Sequence, residues 1–93
     1  MTDLGPYRIM LAPGAKRALA ERLPPAVAAA IWEFITGPLA ENPHRVGKEL
    51  LEPLKGLWSA RRGTYRILYR IFESGWIIRV EKIDHRADVY RAR

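Results

Sequence analysis

The stretch from Ser59 to Ile71, SARRGTYRILYRI, constrains the fold more than any other part of the chain. Tyr65, Ile67, Tyr69 and Ile71 alternate with Arg66, Leu68 and Arg70, the period of a strand with one face in a core. An extended run over about Leu57–Arg62 precedes it, and either Gly63-Thr64 or Arg62-Gly63 forms the tight turn between them. With either turn, Ser59 and Arg61 share a face with Arg66, Leu68 and Arg70. With Gly63-Thr64 at the turn, Arg61 stands directly across from Arg66. The other face carries Tyr65, Ile67, Tyr69 and Ile71 and needs a cover. The hairpin therefore predicts a sheet that is apolar on one side and cationic on the other.

The cover comes from earlier in the chain. Tyr7–Ala12 reads as a first strand, with Tyr7, Ile9 and Leu11 alternating. Pro13 can open a helix, where its missing N–H costs nothing. Ala15, Ala18, Leu19 and Leu23 then follow at helical spacing, which predicts a short amphipathic helix over Pro13–Arg22. Pro24 ends it and Pro25 starts another, in which Val27, Ile31, Phe34 and Ile35 recur on one side as far as Ile35 or Leu39. So short a connection predicts an antiparallel helix pair. Residues 40–56 have weak periodicity and two prolines and read mostly as loop. After the hairpin, Glu73–Gly75 forms a second turn into a strand over Trp76–Ile83, and the tail DHRADVYRAR reads as a helical turn or coil. The order β-α-α-β-β-β predicts an α+β domain over residues 1–93, a small antiparallel-rich sheet with the helix pair on one face.

Directly opposed arginines weaken a hairpin by roughly 0.2–1 kcal/mol. An anion that bridges them removes that penalty, and guanidinium is suited to phosphate because its planar fork donates two hydrogen bonds at once. Arg61 and Arg66 are therefore candidates for an anion site. Arg62 reads as a turn residue in water, and Arg70 either extends the site or pairs with Glu81. The charge distribution agrees. Four basic residues balance four acidic ones through residue 44, while twelve face six beyond it, so the whole net charge of +6 lies in the C-terminal half. Such segregation fits a polyanion or an acidic protein partner, and a merely solvated surface is the plain alternative.

Other function classes are harder to support. The chain has no cysteine, hence no disulfide framework and no thiolate zinc site. It has no clustered metal ligands, no glycine-rich phosphate loop and no membrane-length apolar run. The N-terminus lacks the charged and apolar regions of a signal peptide, so a cytoplasmic protein without metal or cofactor is expected. His85 in the tail is the one residue there that exchanges a proton near neutrality. Tyr90 can orient a phosphate, donate a hydrogen bond or stack on a base. His85 can equally be a structural residue held by Asp84 or Asp88, and His44 lies in a proline-rich loop. A cationic face with one proton-transfer group is nearly sufficient for metal-independent RNA cleavage, because the attacking 2′-hydroxyl belongs to the substrate.

The segments PLKGLWSARRGTYRILYRI and VEKIDHRADVY, with NPHRVGKEL before the hairpin, resemble the RelE branch of the RelE/ParE superfamily of bacterial toxins. The chain is especially similar to RelE-like toxins of mycobacteria and other actinobacteria. The resemblance covers nearly the whole chain. It implies a ribosome-dependent endoribonuclease that cuts mRNA in the A site and halts translation. It also implies a cognate antitoxin that holds the toxin inactive, with operator DNA bound only through the complex. By position, Arg66 matches the arginine at the scissile phosphate and Arg61 a basic residue on the preceding strand. His85 and Arg86 match the basic pair near the last strand, and Tyr90 the C-terminal tyrosine. Lys48 and Lys55 match positions expected to touch RNA backbone, and Arg62 joins them as a phosphate contact. Ser59 departs from the pattern, since many relatives carry a basic residue there. ParE proteins share the fold but poison DNA gyrase by binding alone. The tail argues against that alternative, because His85, Arg86 and Tyr90 beside Arg66 resemble a reaction site. A non-catalytic nucleic-acid-binding domain is a third reading.

Overall fold

The computed structural model describes residues 6–85. Strand β1 (Arg8–Leu11) leads into helix α1 (Pro13–Arg17), which continues through a wider π-type turn at Ala18–Arg22. Helix α2 (Pro25–Phe34) continues likewise through Ile35–Leu39. Pro38 accounts for the second widening. Its ring crowds the carbonyl four residues back and it has no N–H to give, so the helix proceeds only by loosening its turn. Then come α3 (Pro43–Val46), β2 (Lys48–Glu49), β3 (Trp58–Arg62), β4 (Tyr65–Phe72), a 3-10 turn (Glu73–Gly75) and β5 (Ile77–His85).

The five strands form one sheet in the order β1-β5-β4-β3-β2. β1 runs parallel to β5, and all other neighbours are antiparallel. The expected order β-α-α-β-β-β is present, with two additions inside the stretch expected to be mostly loop. Those are α3 and the two-residue β2, each too short to leave a periodic signature. β5 starts one residue later than expected because Trp76 has a left-handed φ of 54°. It also runs two residues further, to His85. The tail from Arg86 onward lies outside the described residues.

Gly63 and Thr64 form the hairpin turn, since Arg62 pairs with Tyr65 and Arg61 with Arg66. Gly63 takes a φ of +64° while Thr64 keeps an ordinary negative one. That is the pattern of a II′ turn, in which glycine is needed only at the first position.

The core lies between this sheet and the helices. Ala60, Ile67, Tyr69, Ile78, Val80 and Ile83 from the strands bury against Ala15, Ala18, Ile31, Ile35 and Leu39. One feature of β5 makes this possible. Leu68 pairs with Lys82 but Tyr69 pairs with Val80, so Glu81 is an extra residue, a β-bulge. The bulge shifts the alternation by one. Ile78 and Val80 before it and Ile83 after it thus all reach the core, although three positions separate the last two.

Candidate nucleic-acid interface

Among the described residues, no helix lies over the other face of the sheet. Register defines its rows, because paired residues point to the same side. One row runs Lys48, Ser59, Leu68, Lys82, and the next runs Arg61, Arg66, Asp84. The opposition of Arg61 and Arg66 predicted from the hairpin is present. β2 and its flanks rise at the side of these rows and close a cleft of about 550 Å³. Four cations line it: Arg45 and Lys48 from the wall, and Arg61 and Arg66 from the hairpin. Glu49 also lines it, and Glu49 Oε2 accepts a hydrogen bond from the Gly56 N–H at 3.0 Å. That bond directs its charge toward the loop.

Ser59, the departure from the family pattern, is nearly buried, with 8 % of its surface exposed. Arg66 Nη1 donates to its Oγ at 3.3 Å. The hydroxyl gives the guanidinium a fixed direction where a second cation would repel it. Tyr69, under the same strand pair, is fully buried. Its hydroxyl donates to the Pro43 carbonyl at 2.7 Å. Burial pushes that phenol well above its ordinary range, so it stays a donor.

Several predicted residues lie elsewhere. Arg62 pairs with Tyr65 and so belongs to the opposite side of the sheet from Arg61. There it lines an apolar groove of about 300 Å³ with Val27 and Ile31 of α2. His85 pairs with Tyr65 and packs edge-on against its ring, centroids 5.5 Å apart. It therefore also lies on the helix side, and Asp84 takes the place across from Arg66. The Glu81 bulge is the cause: strict alternation from Val80 through a paired Glu81 would bring His85 onto the cationic face. Lys55 is exposed in the loop before β3 and is not part of the cleft wall. Arg70 pairs with Glu81 at 3.6 Å, the second of the two readings open to it. Arg86 and Tyr90 lie outside the described residues.

Asp84 itself is held by Lys82 at 3.4 Å and by Arg22 at 3.6 Å. Arg45 escaped the sequence reading altogether. Its segment carried the resemblance, but nothing in the spacing says that it turns toward Arg61. At the far end of the sheet, Glu73 accepts from the Tyr7 hydroxyl at 2.9 Å and pairs with His44 Nε2. These two partners hold its carboxyl below the usual range, Tyr7 contributing most. Among the described residues, no group of three His, Cys, Asp or Glu side chains stands together to hold a metal ion. No helix among them is long and apolar enough to cross a membrane.

Comparison with known proteins shows the family to which this sheet with its basic face belongs. The family model described as the ParE toxin of the type II toxin–antitoxin system parDE matches residues 9–90. The chain belongs to this toxin family, and within it is a RelE-type toxin, one component of a type II toxin–antitoxin system. It is 48 % identical to Toxin RelG of Mycobacterium tuberculosis over 86 residues, covering 92 % of this chain and 98 % of the relative. It is 45 % identical to Toxin RelE of the same organism over 91 residues, covering 98 % and 93 %. Among solved structures, the RelBE2 toxin–antitoxin complex of M. tuberculosis has a chain 44 % identical, with a TM-score of 0.83 over 95 % of this chain and 100 % of its own. The archaeal RelE–RelB complex from Pyrococcus horikoshii gives 27 % identity and a TM-score of 0.67, covering 92 % and 98 %.

Proposed function

We propose that this toxin is an mRNA interferase, an endoribonuclease that acts without a metal ion on message in the ribosomal A site. The observation that carries the proposal is the pair Arg61–Arg66, opposed across two strands in one cleft with Arg45 and Lys48. Four cations converging on an open sheet face fit a phosphodiester backbone. The reaction needs little else. The RNA 2′-oxygen bonds to the adjacent phosphorus and the 5′-oxygen leaves, which yields a 2′,3′-cyclic phosphate and a 5′-hydroxyl. One proton departs from the nucleophile and one reaches the leaving group. Arg66, directed by Ser59, and Arg61 offset the charge that grows on the phosphoryl oxygens. Lys48 and Arg45 follow the flanking backbone, with Lys55 and, on the family resemblance, Arg86 as further phosphate contacts; Arg62, on the helix side of the sheet, is not among them. His85 and Tyr90 are the candidates for proton transfer. His85 does so only if the substrate reaches around the end of β5, given its side of the sheet. The relatives named RelE and RelG support the activity.

A cognate antitoxin is the expected protein partner, since the solved relatives are toxin–antitoxin complexes. Operator DNA is then bound only through that complex, and the site of action is the cytoplasm. Residues 1–93 act as one toxin domain.

The second reading is a ParE-like gyrase poison that binds without cutting RNA. The separation of His85 from Arg66 favours it, as does the name of the matching family. Induction in a bacterial host carrying a DNA-damage reporter decides between them. The nuclease reading expects growth arrest with a silent reporter, and arrest lost in Arg66→Ala while antitoxin binding persists. Arrest with strong reporter induction would overturn it in favour of gyrase.

A further inference from the structure

The cleft has a wall that its own sequence does not stabilise. α3 has four residues and β2 has two, so neither holds a shape alone. Lys48 nonetheless stands at a fixed register beside Ser59. What fixes it comes from beneath. The buried Tyr69 hydroxyl grips the Pro43 carbonyl at 2.7 Å, at the first residue of α3. Gly47 then crosses directly over the same hydroxyl. A Cβ at Gly47 would collide with that oxygen and come within 2.8 Å of the Ser59 carbonyl. The wall is thus anchored at Pro43, pressed flat at Gly47 and paired at Lys48, all within six residues. Ser59, the strand partner of Lys48, in turn receives Arg66. The exposed contact of His44 with Glu73 adds a second tether, but in water such a pair holds weakly.

We propose that Tyr69 is a positioning residue for the anion cleft: its hydroxyl sets the wall that carries Arg45 and Lys48 against Arg61 and Arg66. This rests on reading the cleft as the site of the RNA phosphate. Tyr69 touches no substrate and acts only through the wall.

The test uses Tyr69→Phe, which keeps the buried ring and removes only the oxygen. Sulfate is the probe, titrated at constant ionic strength against chloride while the backbone amides of Lys48 and Arg61 are followed by NMR. We expect a folded variant whose sulfate affinity falls about threefold to tenfold, the loss that follows when one of several cations drifts from a shared anion. The discriminating readout is the double variant with Lys48→Ala. If Tyr69 acts by placing the wall, removing its hydroxyl in the Lys48→Ala background costs clearly less sulfate affinity than it does in the wild type, because only Arg45 is left to be displaced. Gly47→Ala displaces the same wall from above and should reproduce the weakened, non-additive binding. Unchanged sulfate affinity in Tyr69→Phe would overturn the proposal, and so would a full additional loss on top of Lys48→Ala. Absence of sulfate binding by the wild type would overturn it too. A wild type that binds sulfate in this way but cuts no message would refute the nuclease reading and leave the role of Tyr69 standing.

Discussion

The two faces of this sheet are built from the same strands, residue by alternate residue, yet they follow opposite rules. The helix side takes Ile67, Tyr69, Ile78, Val80 and Ile83 out of water almost completely. Each such side chain contributes about 1.5–3 kcal/mol by its burial, so stability concentrates there. The open side sets Arg61 across from Arg66 and Arg70 across from Arg79, with Glu81 shared between the second pair. Arginines opposed in this way do not themselves stabilise a free sheet. Adjacent residues of one strand thus divide the work: even positions of β4 set Arg66 and Arg70 on the open side, and the odd ones hold the fold.

That division predicts that the two kinds of substitution separate cleanly. Arg66→Ala should reduce mRNA cleavage in a cell-free translation reaction about 10²–10³-fold, the usual effect of losing one charge-stabilising donor. Its melting temperature should stay close to that of the wild type. A comparable loss of stability would mean that the open face also carries the fold. Ile67→Ala, one position along, should do the reverse. A buried isoleucine lost to alanine costs about 2–5 kcal/mol, read from the midpoint of urea unfolding. Below its new transition the variant should still bind sulfate as the wild type does.

A smaller effect tests the opposed arginines. Sulfate should raise the melting temperature relative to chloride at matched ionic strength, because it binds the folded state alone. Arg61→Ala should remove most of that rise. Without sulfate the same variant should be slightly more stable, by roughly 0.2–1 kcal/mol, since one member of a like-charged pair is gone. Equal stability in chloride with the sulfate response intact would place the anion elsewhere.

The smallest effect belongs to Glu73, just past the end of β4, whose contact with His44 is the weak second tether of α3. Tyr7 and His44 hold its carboxyl below the ordinary value of 4.5. A depressed carboxyl stabilises the fold above its unfolded pKa, and that contribution disappears as pH falls through the folded one. Glu73→Gln should therefore flatten the acid side of the stability profile and leave the neutral region nearly unchanged. A profile identical to the wild type would show that the contact with His44 and Tyr7 carries no weight in water.

Much of this was legible in the residues. The period of Tyr65–Ile71 and the glycine turn were enough to oppose Arg61 to Arg66, because tight turns fix register. The helix pair followed from its prolines. The wall of the cleft was not legible, for a physical reason. β2 is a strand only because β3 lies beside it, and Pro43 is placed by a hydroxyl 26 residues away in sequence. The position of His85 turned on Glu81. The apolar step of three from Val80 to Ile83 was the available signal of a bulge, and one extra residue moved the imidazole to the other side of the sheet. The tail residues Arg86 and Tyr90, on which the resemblance leaned, fall outside the described residues.

The central claim is that the cationic face cuts message on the ribosome. The most direct measurement maps 5′ ends after the toxin is induced without antitoxin, on a translated transcript and on the same transcript with its start codon removed, with Arg66→Ala in parallel. The account predicts new 5′ ends in the translated transcript only, absent with Arg66→Ala. Growth arrest with no new ends in either transcript would contradict it.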